Sequence, residues 1–396
     1  MSFKCEWVDR DLETIKRAGW YRSPRNLDGM AGRTIWQDGK ELLNFASNDY
    51  LGLAGDRRLQ DAAIVAIETY GTGSTGSRLT SGERPIHREL EAAIAKLKGV
   101  EDALVFSSGY SANIGVIPAI VGARDAIFGD AYNHASLKNG MKLSGATIHE
   151  YRHGDLAELI SLLERHRHQY RRSAIVTDTV FSMDGDIGNL PKIVTLAESY
   201  DSTIVLDEAH ATGIFGDRGA GVIEHFQMPQ FPCIELGTLS KALGSLGGFV
   251  AGSYKLIDYL RNRCASWIYT TGLSPADAAA AAAAIEIINT EPERRQRLWD
   301  NTYYFQKSVA DLAAKSSQIK LIPTNSQILC LQLPNPTIAV EFSHLLADRG
   351  IFVPAIRPPT VPTSRLRFSL TAAHARSDID FCLDALASLT ENLVLT

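Results

Sequence analysis

The sequence predicts an α/β protein: a large domain with a mainly parallel central sheet flanked by helices, joined to a smaller α+β domain. Two observations carry this. Between residues 100 and 210 short apolar runs alternate with stretches of helical periodicity, the pattern of buried parallel strands with helical crossovers. After residue 290 the chain turns to charged helix and short strands. A length of 396 residues is enough for more than one domain. The divisions are placed at residues 1–48 for an N-terminal segment packing with the small domain, 49–288 for the large domain and 289–396 for the small one.

The elements follow in order. Asp9 to Ala18 reads as an amphipathic helix broken near Gly19, and Leu42 to Ala46 as a short strand leading into the turn-rich Ser47-Asn48-Asp49-Tyr50-Leu51-Gly52. Tyr70 to Arg78 is too rich in Gly, Ser and Thr for a regular element. Helical periodicity returns from His87 to Lys98. Strands are expected at Ala103–Phe106, Ala126–Gly129, Ala174–Thr179 and Thr203–Leu206, with helices after Tyr110, at Leu156–Glu164 and at Pro191–Tyr200. Ser274-Pro275-Ala276-Asp277 starts a helix, with Ser at the cap and Pro at the first helical position, and Ala278 to Ala283 continues it. Gln327–Leu331 is a strand of the small domain.

A net charge of −5 argues against a protein built mainly to bind nucleic acid. No apolar run reaches the roughly 20 residues of a membrane span, and Met1 to Arg10 contains no apolar block of a signal peptide. Cys5, Cys233, Cys264, Cys330 and Cys382 are too scattered for a disulfide framework or a zinc site, which fits a reducing, cytoplasmic setting.

Chemistry concentrates at three places. Ile204-Val205-Leu206-Asp207-Glu208-Ala209-His210 ends an apolar strand in a carboxylate, with a histidine three residues on. Such an ending is equally a chain reaching solvent. Leu236 to Gly244 sets Lys241 among small residues, where a ligand fits; a lysine taken at random is an ordinary surface cation. Crowding lowers an amine's pKa and makes it a nucleophile or base. Together they suit pyridoxal phosphate: Lys241 for the aldehyde, Asp207 for the pyridine nitrogen, His210 as donor to the phenolic oxygen. Ser108-Gly109-Tyr110 opens a helix whose N–H groups face an anion, and Thr238 and Ser240 add hydroxyls. His134 is either a structural histidine at a helix start or a flat group that stacks on the ring and moves protons.

These stretches, with Asn44 to Leu53, Gly71 to Gly82, His134-Ala135-Ser136, Phe181 to Asp186 and Ile356-Arg357-Pro358-Pro359-Thr360-Val361-Pro362, resemble the α-oxoamine synthase family of fold-type-I pyridoxal-phosphate enzymes over nearly the whole chain. The resemblance implies a cytoplasmic C-acyltransferase that condenses L-alanine with a pimeloyl thioester, carried by coenzyme A or acyl carrier protein, and releases CO₂ and thiol on the way to biotin. It gives Lys241 the covalent link to the cofactor, Asp207 the ring nitrogen, His134 the stacking position, and His210 and Ser182 the phenolic side. Ser108, Gly109, Tyr110, Thr238 and Ser240 surround the phosphate. The family's homodimer builds each site at the interface, with Thr270 or Thr271 of one chain reaching the partner's phosphate. Asn48 and Arg367 correspond to groups around the amino acid's carboxylate, and Arg22 or Arg25 to groups holding the acyl substrate. The loop between Pro362 and Arg365 is two residues shorter than the family's usual one, and Arg365 is read as facing the opposite side of its strand from Arg367. The rivals are a sibling using glycine or another acyl chain, a serine-palmitoyl-type enzyme at a membrane, an aminotransferase, and a protein that kept the fold without catalysis.

Overall fold

A computed structural model describes residues 6–228, 232–316 and 318–393; Cys5 and the first residues of the chain lie outside them. The predicted first helix runs Glu6–Arg17. Strands β1 (Thr34–Gln37) and β2 (Lys40–Asn44) form a hairpin. The central sheet takes β3 (Asp102–Phe106), β4 (Ala126–Asp130), β5 (Thr147–Tyr151), β6 (Ser173–Asp178), β7 (Thr203–Asp207), β8 (Cys233–Thr238) and β9 (Gly248–Gly252). Its order is β3-β9-β8-β7-β6-β4-β5, with β5, β4, β6, β7 and β8 mutually parallel and β9 antiparallel to both neighbours. The mainly parallel sheet inferred from the apolar runs is therefore present.

Residues two apart on a strand share a face, and the core divides accordingly. Val105, Phe128, Ile175, Ile204 and Leu206 enter one apolar cluster. Leu104, Phe106, Ile127, Val176 and Val205 enter the other. Both faces are thus dry, as helical cover on a parallel sheet requires. Helix Pro275–Thr290 starts as predicted, with the Ser274 side chain accepting from Asp277 N. Its alanines let it lie close against helices Arg57–Tyr70 and Pro85–Lys98.

Beyond it, β10 (Lys320–Leu321), β11 (Ile328–Gln332), β13 (Ala355–Ile356) and β14 (Arg365–Ser369) form a second sheet in the order β10-β11-β14-β13. Between them in sequence, β12 (Ile351–Phe352) pairs instead with β2, parallel. The early and late parts of the chain are further joined by Arg33 to Asp378 (2.6 Å), His374 Nε2 to the Asn44 carbonyl (3.1 Å) and the Thr371 hydroxyl to the Asp49 carbonyl (2.8 Å). No helix among the described residues is long and apolar enough to cross a membrane.

Candidate active site

The ends of β6, β7 and β8 and the start of helix Gly109–Ile120 enclose a cavity of about 260 Å³. Ser108, Gly109, Tyr110, His134, Asp207, His210, Thr238, Ser240 and Lys241, all expected from the sequence, line it together. Carboxyl ends of parallel strands are where such folds gather ligand groups.

Local structure explains each placement. Ser108 caps the helix by accepting from Ser111 N at 3.0 Å; the N–H groups of Gly109 and Tyr110, at the first positions, have no carbonyl of their own helix to donate to. Gly248 lies so close to Gly109 that a Cβ there would collide with its backbone, which sets the helix start against β9. The Thr238 and Ser240 hydroxyls are 2.7 Å apart. Asp207, the last residue of β7, accepts from Asn113 Nδ2 at 2.7 Å and from Ala209 N at 2.9 Å. His134 caps helix Ala135–Leu143, its Nδ1 accepting from Ser136 N, and so fills the structural role and the cavity wall at once.

Charge is arranged unevenly. Burial lowers the Lys241 amine to about 8, against the pull of Asp207 and Asp178. Asp178 sits beside Asp207 in register across β6 and β7. Burial and the Asp207 charge hold the Asp178 carboxyl well above its ordinary range. Burial, then the cations Lys241 and Arg367, pushes His210 well below its usual value, and burial lowers His134. Two histidines and two carboxyl groups thus surround an amine that ionises near pH 8, a setting suited to proton transfer.

Asn48 and Arg367 stand outside the cavity wall but join it. Arg367 Nη2 donates to Asn48 Oδ1 at 3.3 Å, the Tyr50 hydroxyl to the same oxygen at 3.0 Å, and Tyr50 lies 2.7 Å from His210 Nδ1. His210 Nε2 is 2.9 Å from Lys241 Nζ. The Ser182 carbonyl accepts from Arg367 Nε at 2.6 Å, so the Ser182 backbone meets the arginine. The shorter loop still delivers Arg367 to this position.

The expected orientation of Arg365 is corrected. Residues two apart on β14 share a face, and Arg365 reaches the same turn as Arg367, donating to the Met183 carbonyl at 3.1 Å and pairing with Asp184. Arg22 and Arg25 line a separate cavity of about 1010 Å³, with Trp20, Phe352 and Arg357. Thr270 and Thr271 are absent from the lining of the cavity around Lys241; Thr271 is exposed. Tyr50, Asn113, Asp178 and Arg357 escaped the sequence reading. Tyr50 lies in the Asn44–Leu53 stretch and Arg357 in the Ile356–Pro362 stretch, both already singled out, though neither residue was given a role; Asn113 and Asp178 lie in no such stretch.

The aminotransferase class I and II model matches residues 40–386. The chain is 57% identical to a protein of Gloeothece citriformis provisionally named 8-amino-7-oxononanoate synthase, over 94% of this chain and 97% of that one. A protein of Acaryochloris marina under the same provisional name is 55% identical over 98% of each. Among solved structures, Sphingomonas wittichii serine palmitoyltransferase superposes with a TM-score of 0.91 at 29% identity, over 99% and 98% of the two chains. The 8-amino-7-oxononanoate synthase of Francisella tularensis gives 0.76 at 29%, over 89% and 98%. A serine palmitoyltransferase solved with pyridoxal phosphate gives 0.91 at 28%, over 99% of each. By sequence and by fold, the chain belongs to the aminotransferase class I and II family.

Proposed function

We propose that this protein is a pyridoxal-phosphate-dependent acyltransferase that condenses L-alanine with a pimeloyl thioester, releasing CO₂ and thiol and forming 8-amino-7-oxononanoate. The observation that carries the cofactor is the Lys241 amine sharing one cavity with the buried Asp207 carboxylate and with the first residues of helix Gly109–Ile120. The residues present fit the group: an amine for its aldehyde, a carboxylate for its ring nitrogen, and Gly109, Tyr110, Thr238 and Ser240 for its phosphate. His134 would cover the ring, and His210 and Ser182 belong to its phenolic side.

When bound, the cofactor supplies an electron sink for charge developing at the amino acid's α-carbon. Lys241, near neutrality at its lowered pKa, is the base that takes the α-proton. Arg367 and Asn48 hold the carboxylate, and the planar fork of the guanidinium fixes its tilt as well as its position. Arg22, Arg25 and Arg357 offer three cations beside Trp20 and Phe352, a lining suited to an anionic acyl donor, whether coenzyme A or acyl carrier protein brings it. The relatives at 53–57% identity favour alanine and a pimeloyl chain over serine and palmitoyl, whose solved enzymes are 28–29% identical.

A homodimer completes the proposal. Leu79, Leu246 and Tyr269 are exposed at 57%, 50% and 85% on loops around the site. The Gly71–Gly82 loop is tied to the Thr270-Thr271 segment through Gly272 N and the Gly76 carbonyl (2.9 Å). A partner covering these loops would receive Thr270 or Thr271 at its phosphate.

The deciding experiment supplies alanine with pimeloyl-coenzyme A or pimeloyl-acyl carrier protein and follows thiol release and product mass. Conversion of alanine without thiol release, or a clear preference for serine and palmitoyl-coenzyme A, would refute the reaction. Borohydride should fix the cofactor to Lys241; a label only on another lysine removes the cofactor assignment.

A further inference from the structure

Tyr50 is fully buried, and its hydroxyl meets Asn48 Oδ1 and His210 Nδ1, with the Arg367 and Gln327 side chains also in reach. Arg367 can only donate, so the Asn48 atom it meets at 3.3 Å is the amide oxygen. That orients the Asn48 amide and makes Tyr50 the second donor to the same oxygen, at 3.0 Å. A hydroxyl has one hydrogen. Toward His210 Nδ1, 2.7 Å away, Tyr50 is therefore the acceptor, and Nδ1 carries the proton. His210 is neutral because burial, Lys241 and Arg367 all oppose its charge, so its other nitrogen is bare. That bare Nε2 faces Lys241 Nζ at 2.9 Å. The His210 carbonyl accepts from Gln327 Nε2 at 3.0 Å, which fixes the backbone that carries the ring.

We infer that Tyr50 is a positioning residue that fixes His210 as the Nδ1–H tautomer, with an acceptor nitrogen toward Lys241, and fixes Asn48 with its Nδ2 hydrogens as the donors offered to a substrate carboxylate. The carboxylate half rests on the roles proposed above for Arg367 and Asn48; the tautomer half does not. With both lone pairs of the Asn48 oxygen engaged, only the NH₂ remains for a ligand. One hydroxyl thus sets the polarity of a chain of hydrogen bonds from the carboxylate anchor to the amine.

Nitrogen-15 NMR of histidine-labelled, cofactor-free protein reads the tautomer directly, with His210→Gln identifying the signal. The wild type should show a protonated Nδ1 and a bare Nε2; the opposite pattern overturns the proposal without any variant. Tyr50→Phe keeps the ring and removes the hydroxyl, and the Nδ1–H preference should be lost. A preserved preference overturns the proposal. In the cofactor-loaded enzyme, Tyr50→Phe should weaken alanine about tenfold, the scale of one lost oriented hydrogen bond, and ethylamine, which lacks the carboxylate, by much less. Equal weakening of both ligands overturns the carboxylate half. If Arg367→Lys also leaves the preference for alanine over ethylamine intact, the anchor reading has failed, and the tautomer result still judges Tyr50.

Discussion

Lys241 has a histidine at 2.9 Å, and no salt bridge to a carboxylate is found for it among the described residues, so burial is not offset by a close ion pair. Its folded pKa of about 8 lies below the ordinary value, and the neutral, nucleophilic amine gains population as pH rises through 8. Capture of pyridoxal phosphate by the cofactor-free protein should accelerate with an inflection near pH 8, followed by absorbance; an inflection near 10.5 would show an unperturbed amine. Arg365 and Arg367 divide the turn after β6 between them. Arg367→Lys keeps the charge and loses the fork, so alanine binding should weaken about tenfold or more, with cofactor affinity nearly unchanged. Arg365→Lys should now matter as well, because it loosens the Met183 and Asp184 contacts and so shifts the Ser182 carbonyl that holds Arg367. Titrations of both variants with alanine check this. Lys241 and Asp207 were legible because each sits in a contiguous run of telling neighbours. Asn113 and Asp178 were not, since a lone Asn in an apolar helix and an Asp ending a strand acquire meaning only from what folding places beside them.

At the scale of elements, the strands found from sequence are the apolar ones, and those missed are informative. Strand β9 is Gly248-Phe249-Val250-Ala251-Gly252, and β8 contains Gly237; both resemble loop in composition. Those glycines are needed because Gly237 packs under the Phe249 ring and Gly248 against Gly109, where side chains would collide. His153 links two loops in a way no motif announces. Its Nδ1 meets Asp130 at 2.9 Å, its Nε2 meets Asp186 at 3.0 Å, and its ring stacks on Tyr132 at 4.3 Å. Burial opposes its charge, but the two carboxylates outweigh burial and raise its pKa to about 9. A raised pKa stabilises the fold fully below the unfolded value near 6.5, and the contribution is lost as pH rises through 9. The melting-temperature gap between wild type and His153→Gln should therefore be wide at pH 6 and narrow by pH 10. A gap independent of pH would mean that His153 acts by packing alone.

For the whole molecule, the proposed homodimer has a direct check. Leu79→Glu with Leu246→Glu places charge on two exposed apolar side chains without touching the buried core. Sedimentation should show twice 43.3 kDa for the wild type and 43.3 kDa for the double variant, with circular dichroism unchanged. A monomeric wild type would remove the partner's Thr270 and Thr271 from the site. The pairing of β2 with β12 has a different consequence, one of timing. Asn48 and Arg367 are 319 residues apart and Arg33 and Asp378 are 345 apart, so the groups near the start of the chain meet their partners only when synthesis is almost finished. At ribosomal speeds that wait is on the order of tens of seconds. Residues 33–50 spend it without the partners that residues 350–378 supply, open to proteases and chaperones, while the central sheet is already complete in sequence. Chains stalled before Arg365 should be cut by protease within residues 33–50, and released full-length chains should not. In the cell, a message truncated late would then yield a protein whose first defect lies near its beginning.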